Sequence, residues 1–209
     1  MNRGKILEAW RGKRPLTGGK DGPDFITVSN EDRIGLKNAR GIAGLLPLGD
    51  ANALSLDSAR ERVPKAGSTP VLAGVCATDP LRLMDKFLRE MKAAGVAGVQ
   101  NVPSVGLIDG GFRMNLEEAK LGYAREVEMM RLAAALDLIT SAFVFSPEDA
   151  RAMVDAGVDM IVIHPGLGPK EPAKSIDPIV AAAREKRKDV IVLSYGRSEA
   201  AGLDGIQIE

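Results

Sequence analysis

Cysteine occurs once in these 209 residues, at Cys76, and histidine once, at His164. A single cysteine excludes a disulfide framework and any multi-cysteine metal site. A single histidine excludes the zinc motifs that need two. Aromatic residues make up only 4% of the chain. Neither charge prevails, since Lys+Arg and Asp+Glu both total 28. That balance argues against nucleic acid as a partner, which would call for a basic surplus. A small anionic substrate needs only one local patch and stays open. No apolar run approaches the ~20 residues that would span a bilayer. The opening stretch MNRGKILEAWRGKRP has no apolar segment of the secretory kind. The expectation is therefore a cytoplasmic protein with no membrane association.

What the chain does hold is 45% hydrophobic and 27% charged, ordinary for a soluble globular protein. The length suits one domain over residues 1–209 with a real core. Small branched residues dominate its apolar part, which suits parallel strands buried on both faces. From Val71 onward short apolar runs alternate with helical ones. The strands expected are VLAGVC (71–76), VAGVQNV (96–102), LITSAFVF (138–145), VDMIVIHPG (158–166), VIVLSYG (190–196) and LDGIQIE (203–209). Between them the spacing predicts helices over 81–95, 115–136, 146–157 and 175–189. Leu116, Ala119, Tyr123, Val127, Met130 and Ala134 repeat at helical spacing and predict one buried stripe. Ser146, Pro147, Asp149 and Gly157 punctuate the third helix. Residues 14–19 and 24–30 read as two short strands with little between them, and 49–64 as a loop entering a helix.

This β-α-β-α order demands a parallel sheet with right-handed crossovers. About eight strands point to a compact TM-free TIM (β/α)8-type barrel, at the lower end of the ~200–400 residues such barrels occupy. A doubly wound open sheet is the alternative, but no GxGxxG or GxxxxGK[ST] stands where a nucleotide fold needs one. In a barrel the working residues lie at the C-terminal strand ends. Those places hold Asn30, Asp50 with Asn52, Cys76 with Asp79, Asn101 with Pro103, Phe145, His164 with Gly166, and Tyr195 with Gly196.

Each of these also has a plainer reading. Asp79 suits a helix N-cap ahead of Pro80, though a helix N-terminus also attracts anions. Cys76 suits a small buried hydrophobe. His164 is the one side chain whose ordinary pKa lies near neutrality, and it serves equally for ordering its loop or for chemistry. Asn101 can tie down its own turn. The stretch from Pro103 to Arg113 exceeds the ~2–6 residues of an ordinary βα loop, and loops of that size are usually functional. Beyond it Glu126 sits at the edge of the apolar stripe, placed to point inward, while Glu117 and Glu118 suit solvated or ion-paired roles.

Several stretches together carry a family resemblance: GLLPLGDAN (44–52), VLAGVCATDP (71–80), GVQNVPSVGLIDGGFRMNLEE (98–118), LGYAREVEMMRLA (121–133), FVFSPEDARAM (143–153) and IVIHPGLG (161–168). Over roughly Gly41 to Gly196 the chain resembles the phosphoenolpyruvate hydrolase-like TIM-barrel family, whose members carry phosphonopyruvate hydrolase labels. The resemblance implies a barrel of the phosphoenolpyruvate mutase and isocitrate lyase group, often oligomeric, binding α-oxo or enol carboxylates with Mg²⁺. It implies Asp50 and Asp79 for the metal shell, and Glu126, His164 and Asp79 for acid–base work. Asn30, Asn52, Cys76, Asn101, Gly166 and Gly196 are the implied substrate shell.

The chain also departs from that family. Only TGGKDGPDF separates the first two strands, the second strand tip reads VSNED, and SYGRS (194–198) stands where the family tends to have Cys-His-Gly-Gly. Both the first and the C-terminal βα units look shortened. A homo-oligomer would cover the apolar surface so exposed. Two functions follow as expectations: Mg²⁺-assisted hydrolysis of phosphoenolpyruvate or phosphonopyruvate, or a related lyase step, and a non-catalytic, regulatory barrel that binds a small anion.

Overall fold

Seven short strands lie side by side in sequence order, all parallel. They are β1 (Ile26–Val28), β2 (Val71–Gly74), β3 (Gly98–Gln100), β4 (Ile139–Val144), β5 (Met160–Ile163), β6 (Ile191–Tyr195) and β7 (Gly205–Gln207). The computed structural model describes residues 2–13, 16, 22–35, 44–167, 175–196 and 202–208. Eight α-helices accompany the sheet among them: α1 (Arg3–Gly12), α2 (Glu31–Ile34), α3 (Ala51–Arg62), α4 (Met84–Ala93), α5 (Gly110–Glu118), α6 (Tyr123–Ala135), α7 (Pro147–Asp155) and α8 (Asp177–Lys186). None of the described helices is long and apolar enough to cross a membrane.

The sheet curls. In a flat sheet β3 and β7, four strands apart, would be separated by roughly 19 Å at ~4.8 Å per strand. Yet Gln100 and Gln207 exchange amide hydrogen bonds of 3.0 and 3.2 Å. Beyond β7, Leu16 forms a parallel bridge to Gly205, with Leu16 N–H donating to the Asp204 carbonyl at 2.6 Å. The result is an open half-barrel that matches a modified (β/α)8 barrel. Of the expected first strand (14–19), Leu16 alone is described and lies where an eighth strand would; the rest falls outside the described residues.

Side chains alternate between two cores, as the period of two requires. Inside the curl pack Leu72, Ile139, Phe143, Met160, Val162, Ile191 and Leu193. Outside, Val71, Ala73, Val99, Ala142, Val144, Ile161, Ile163 and Val192 meet the helices. Helix α1, whose N-terminus is capped by Asn2 Oδ1, inserts Leu7 and Trp10 into the inner core. Arg3 fixes it there through a forked pair with Asp159 at 2.8 and 3.1 Å. The N-terminal end of the barrel is thereby plugged, leaving the C-terminal end as the open mouth.

Two expectations on the mouth side need correction. The single helix over 115–136 is two helices, α5 and α6, turned at Lys120, whose φ of 58° ends α5. Gly122 is required at this turn because a Cβ there would lie 1.7 Å from Glu117 Oε2. The Glu117 carboxylate in turn accepts the Tyr123 N–H at 3.2 Å at the start of α6. The stripe is accordingly Tyr123, Val127, Met130 and Ala133, with Ala119 left exposed. Asp79 caps no helix, because α4 begins only at Met84; it closes a local turn by accepting the Leu81 N–H at 2.9 Å. Ser146 and Gly157 do bound α7, Ser146 accepting the Asp149 N–H at 3.1 Å and Gly157 reversing the chain at φ 87°.

Candidate functional site

The inward-facing rows of the strands continue into the mouth. Met160 and Val162 are followed on the same face by His164, and Ile191 and Leu193 by Tyr195. With Phe143, Gln100 and Gln207 they surround a cavity of about 100 Å³, closed on the other side by Thr27, Ser29, Glu31 and Asp32 and roofed by Pro103, Ser104 and Leu107. A cavity of this order holds several waters, which suits a ligand the size of a small organic acid.

One wall is aromatic. The His164 ring stacks on Tyr195 with centroids 4.5 Å apart, and Phe143 meets both edge-on at 5.1 and 5.3 Å. Phe145 touches His164 from behind at 5.5 Å and Tyr123 at 6.5 Å. Three of the eight aromatic residues (five Phe, two Tyr, one Trp) thus contact the sole histidine. The position of Phe145 explains Gly106, where a Cβ would fall 2.0 Å from the Phe145 ring. The Gly166 N–H donates to His164 Nδ1 at 3.0 Å. An accepting Nδ1 is unprotonated, so the neutral ring carries its proton on Nε2. The floor is amide. Gln100 Nε2 donates to Ser141 Oγ and to Gln207 Oε1, both at 3.0 Å, using its two hydrogens. Gln207 Nε2 donates to Gln100, and among the described residues nothing takes its second N–H.

The residues singled out from sequence fall into three groups, of which one lines the cavity. His164, next to Gly166, lines it directly. Gly196 ends β6 at φ 75° and donates its N–H to the Gln207 carbonyl at 2.8 Å, so it steadies the floor. Asn30, between the lining residues Ser29 and Glu31, is buried and donates to the Gly44 carbonyl at 3.2 Å.

A second group pins the N-terminus of α3 to the tip of β2. Asn52 brackets Cys76, accepting its N–H at 2.9 Å and donating to its carbonyl at 3.0 Å, and also donates to Asp79 Oδ2 at 2.9 Å. Burial pushes the Cys76 thiol up, away from nucleophilic use at neutral pH. Asp50 caps α3 by accepting the Ala53 N–H at 2.9 Å. Arg82 joins the two carboxylates, with Nη2 2.6 Å from Asp50 Oδ2 and Nε 3.4 Å from Asp79 Oδ2. Slight burial opposes ionisation of Asp50, but the Ala53 N–H and the Arg82 guanidinium outweigh it and hold its pKa low.

Mg²⁺ takes carboxylate oxygens plus waters in octahedral array, and an ion held by Asp50 and Asp79 would have to displace the Arg82 guanidinium that pairs with both. Among the described residues no three His, Cys, Asp or Glu side chains converge as a metal site.

The third group lies in the layer behind the mouth. Asn101 does not tie down its own turn; it stitches β3 to β4, accepting the Phe143 N–H at 2.7 Å and donating to its carbonyl at 3.2 Å. Asn101 Nδ2 also donates to Glu126 Oε2 at 2.5 Å. Ser104 Oγ donates to the same oxygen at 2.8 Å, and the Val105 N–H to Oε1 at 2.8 Å. Glu126 is wholly buried on α6 and does not line the cavity. Burial raises its pKa to about 7 against the pull of those three donors.

Sequence reasoning missed Gln100, Gln207, Thr27, Ser29, Asp32 and Ser104. The signal for the two glutamines was present: each is an amide in an otherwise apolar strand, a position that demands a buried partner.

The geometry defines a modified (β/α)8 barrel with a small polar and aromatic pocket at its C-terminal mouth. A model described as phosphoenolpyruvate hydrolase-like matches residues 17–204, and the chain belongs to that family. It is 44% identical over 187 residues to the ToMV susceptible protein tm-1(GCR26) of Solanum lycopersicum, and equally to the ToMV resistance protein Tm-1(GCR237) of the same plant. Each match covers 84% of this chain and 25% of the relative, so the chain spans about a quarter of the length of those curated proteins. Among solved structures, 2,3-dimethylmalate lyase, a PEP mutase/isocitrate lyase superfamily member, has a TM-score of 0.57 over 100% of this chain and 81% of that one. At 16% identity this is a likeness of fold.

Proposed function

We propose that the mouth pocket binds a small α-oxo or enol carboxylate and carries out hydrolase or lyase chemistry on it, with the His164 Nε2–H as the donor that steadies the developing enolate. The observation that carries this reading is the placement of the chain's one histidine, its Nδ1 held by the Gly166 N–H, in the mouth cavity. On phosphonopyruvate, water would attack phosphorus while the P–C electron pair passes to carbon as the pyruvate enolate. The proton that water gives up as it attacks would return to carbon to complete pyruvate, and the His164 Nε2–H would donate a hydrogen bond to the enolate oxygen that forms in between, a contribution worth ~10²–10³-fold in rate. The second Gln207 N–H and the Thr27 and Ser29 hydroxyls are placed to hold carboxylate or enolate oxygen. Asp50 and Asp79 would be the carboxylates to hold a Mg²⁺ ion, with Arg82 displaced, and the steps above do not depend on it.

Self-association and a cytoplasmic setting belong to the same reading. Exposed Leu81, Leu83, Phe112 and Met114, in the segments that follow β2 and β3, support the first. A second reading, a non-catalytic anion-binding or regulatory barrel, is favoured by the sequence departures noted above, the short TGGKDGPDF link between the first two expected strands and SYGRS (194–198) where the family tends to have Cys-His-Gly-Gly. Turnover of phosphonopyruvate and phosphoenolpyruvate, with and without Mg²⁺, separates the two. The catalytic reading expects turnover that His164→Gln lowers at least 100-fold while ligand binding persists. Binding without turnover above the buffer rate for either substrate would leave the second reading in its place.

A further inference from the structure

The three rings that touch the His164 imidazole are held in different ways. Tyr195 stacks on it with planes 23° apart and Phe143 meets it edge-on, and both line the cavity with it. Phe145 does not line the cavity. It leans on the imidazole at 45° with centroids 5.5 Å apart, and it packs against both the inner and the outer core. Elements outside the mouth set its place. Asp149 Oδ2, in the first turn of α7, accepts the Phe145 N–H at 3.2 Å, and Tyr123 of α6 meets the ring edge-on.

The ring also rests on the backbone of Gly106, where a Cβ would fall 2.0 Å from Cε2 and 2.1 Å from Cδ2. Gly106 has no positive φ, so its missing side chain serves the space for this ring and not a torsion angle. The seat is firm. Gly106 gives its N–H to Ser104 Oγ at 3.0 Å, and the Ser104 hydroxyl and Val105 N–H are both fastened to the buried Glu126 carboxylate at 2.8 Å. The restraints on His164 can then be counted. The Gly166 N–H pins Nδ1 alone, and a stack on Tyr195 lets the imidazole slide and turn in its own plane. A tilted neighbour with no room to retreat blocks that motion. We propose that Phe145, seated on Gly106, is a positioning residue that fixes the orientation of the His164 imidazole, keeping Nδ1 on the Gly166 N–H and setting the direction of Nε2–H. That this direction serves a ligand rests on the function proposed above.

Three variants test it. Phe145→Leu withdraws the wedge, Gly106→Ala pushes the ring off its seat, and in the double variant the new methyl group takes space that the ring gave up. Long-range ¹H–¹⁵N NMR at about pH 8, where the lone histidine is neutral, reads the outcome without substrate. In the native protein the two ring nitrogens should be well separated, Nδ1 unprotonated and Nε2 protonated. In each single variant they should draw together as the tautomers mix, and the double variant should regain the native separation. Turnover of phosphonopyruvate should fall about tenfold or more in the single variants while oxalate affinity changes far less, since misplacing a group by ~1 Å costs up to ~10²-fold. Should Gly106→Ala fail to fold, Phe145→Leu alone still decides. A native separation in Phe145→Leu, or a double variant worse than either single one, would overturn the proposal. Were the native protein to leave phosphonopyruvate untouched, the function proposed above would fall, and the nitrogen signals would still decide this one.

Discussion

The bond pair that shows the sheet to be curled also offers the sharpest test of the fold. Gln100 and Gln207 are 2% and 6% exposed and donate to each other across the mouth. Replacing either by leucine leaves the other's amide buried and short of a partner, a loss of about 1–3 kcal/mol. Gln100 would keep its Ser141 bond when Gln207 is changed, so Gln207→Leu should be the milder of the two. Replacing both removes the orphaned groups together, and the double variant should be more stable than the sum of the single losses by about 1–2 kcal/mol. Urea unfolding resolves this easily, since 2 kcal/mol moves the midpoint by about 1 M at a slope of ~2 kcal/mol/M. Losses that add to within ~0.4 kcal/mol would mean the two side chains do not meet, and the curl inferred from them would be wrong.

The plug at the other end should matter for stability and not for the mouth. Arg3→Ala strands the buried Asp159 with only its Thr140 donors. It should cost about 2–3 kcal/mol, a Tm drop of roughly 4–12 °C by calorimetry, and an unchanged Tm would refute that role. Glu126 should leave its mark on the pH dependence of stability. Its folded pKa lies above the unfolded one, so the stability it contributes is full below about 4.5 and is lost as pH rises through about 7. The ceiling of that loss is about 3 kcal/mol. Denaturation of the native protein from pH 5 to 8 should show the fall, and Glu126→Gln should lack it.

Much of the architecture could be read from the chain because strand interiors and helix ends carry strong local signals. Apolar runs such as Met160–Ile163 and the Ser146 and Gly157 boundaries of α7 are set by burial and backbone geometry alone. The break between α5 and α6 was hidden, because Lys120 at positive φ and the need of Glu117 for the space at Gly122 are tertiary facts. His164 was visible as a lone histidine at a strand tip. Gln100 and Gln207 stood out as amides in apolar strands, but their partnership did not, since it spans 107 positions of sequence. Asp50 and Asp79 stand at suggestive positions, and that Arg82 pairs with both is likewise a tertiary fact. Charge at a strand tip reveals its use only once its counter-ion is known.

Because the chain has one histidine, one proton resonance reports on the pocket. Titrating phosphonopyruvate, or oxalate as its unreactive mimic, while following the His164 Hε1 signal by NMR tests the central claim that the mouth is the ligand site. The signal should shift and saturate, with the Gln207 side-chain amide moving in parallel. A ligand that binds by calorimetry while both signals stay still would place the site elsewhere and contradict the account.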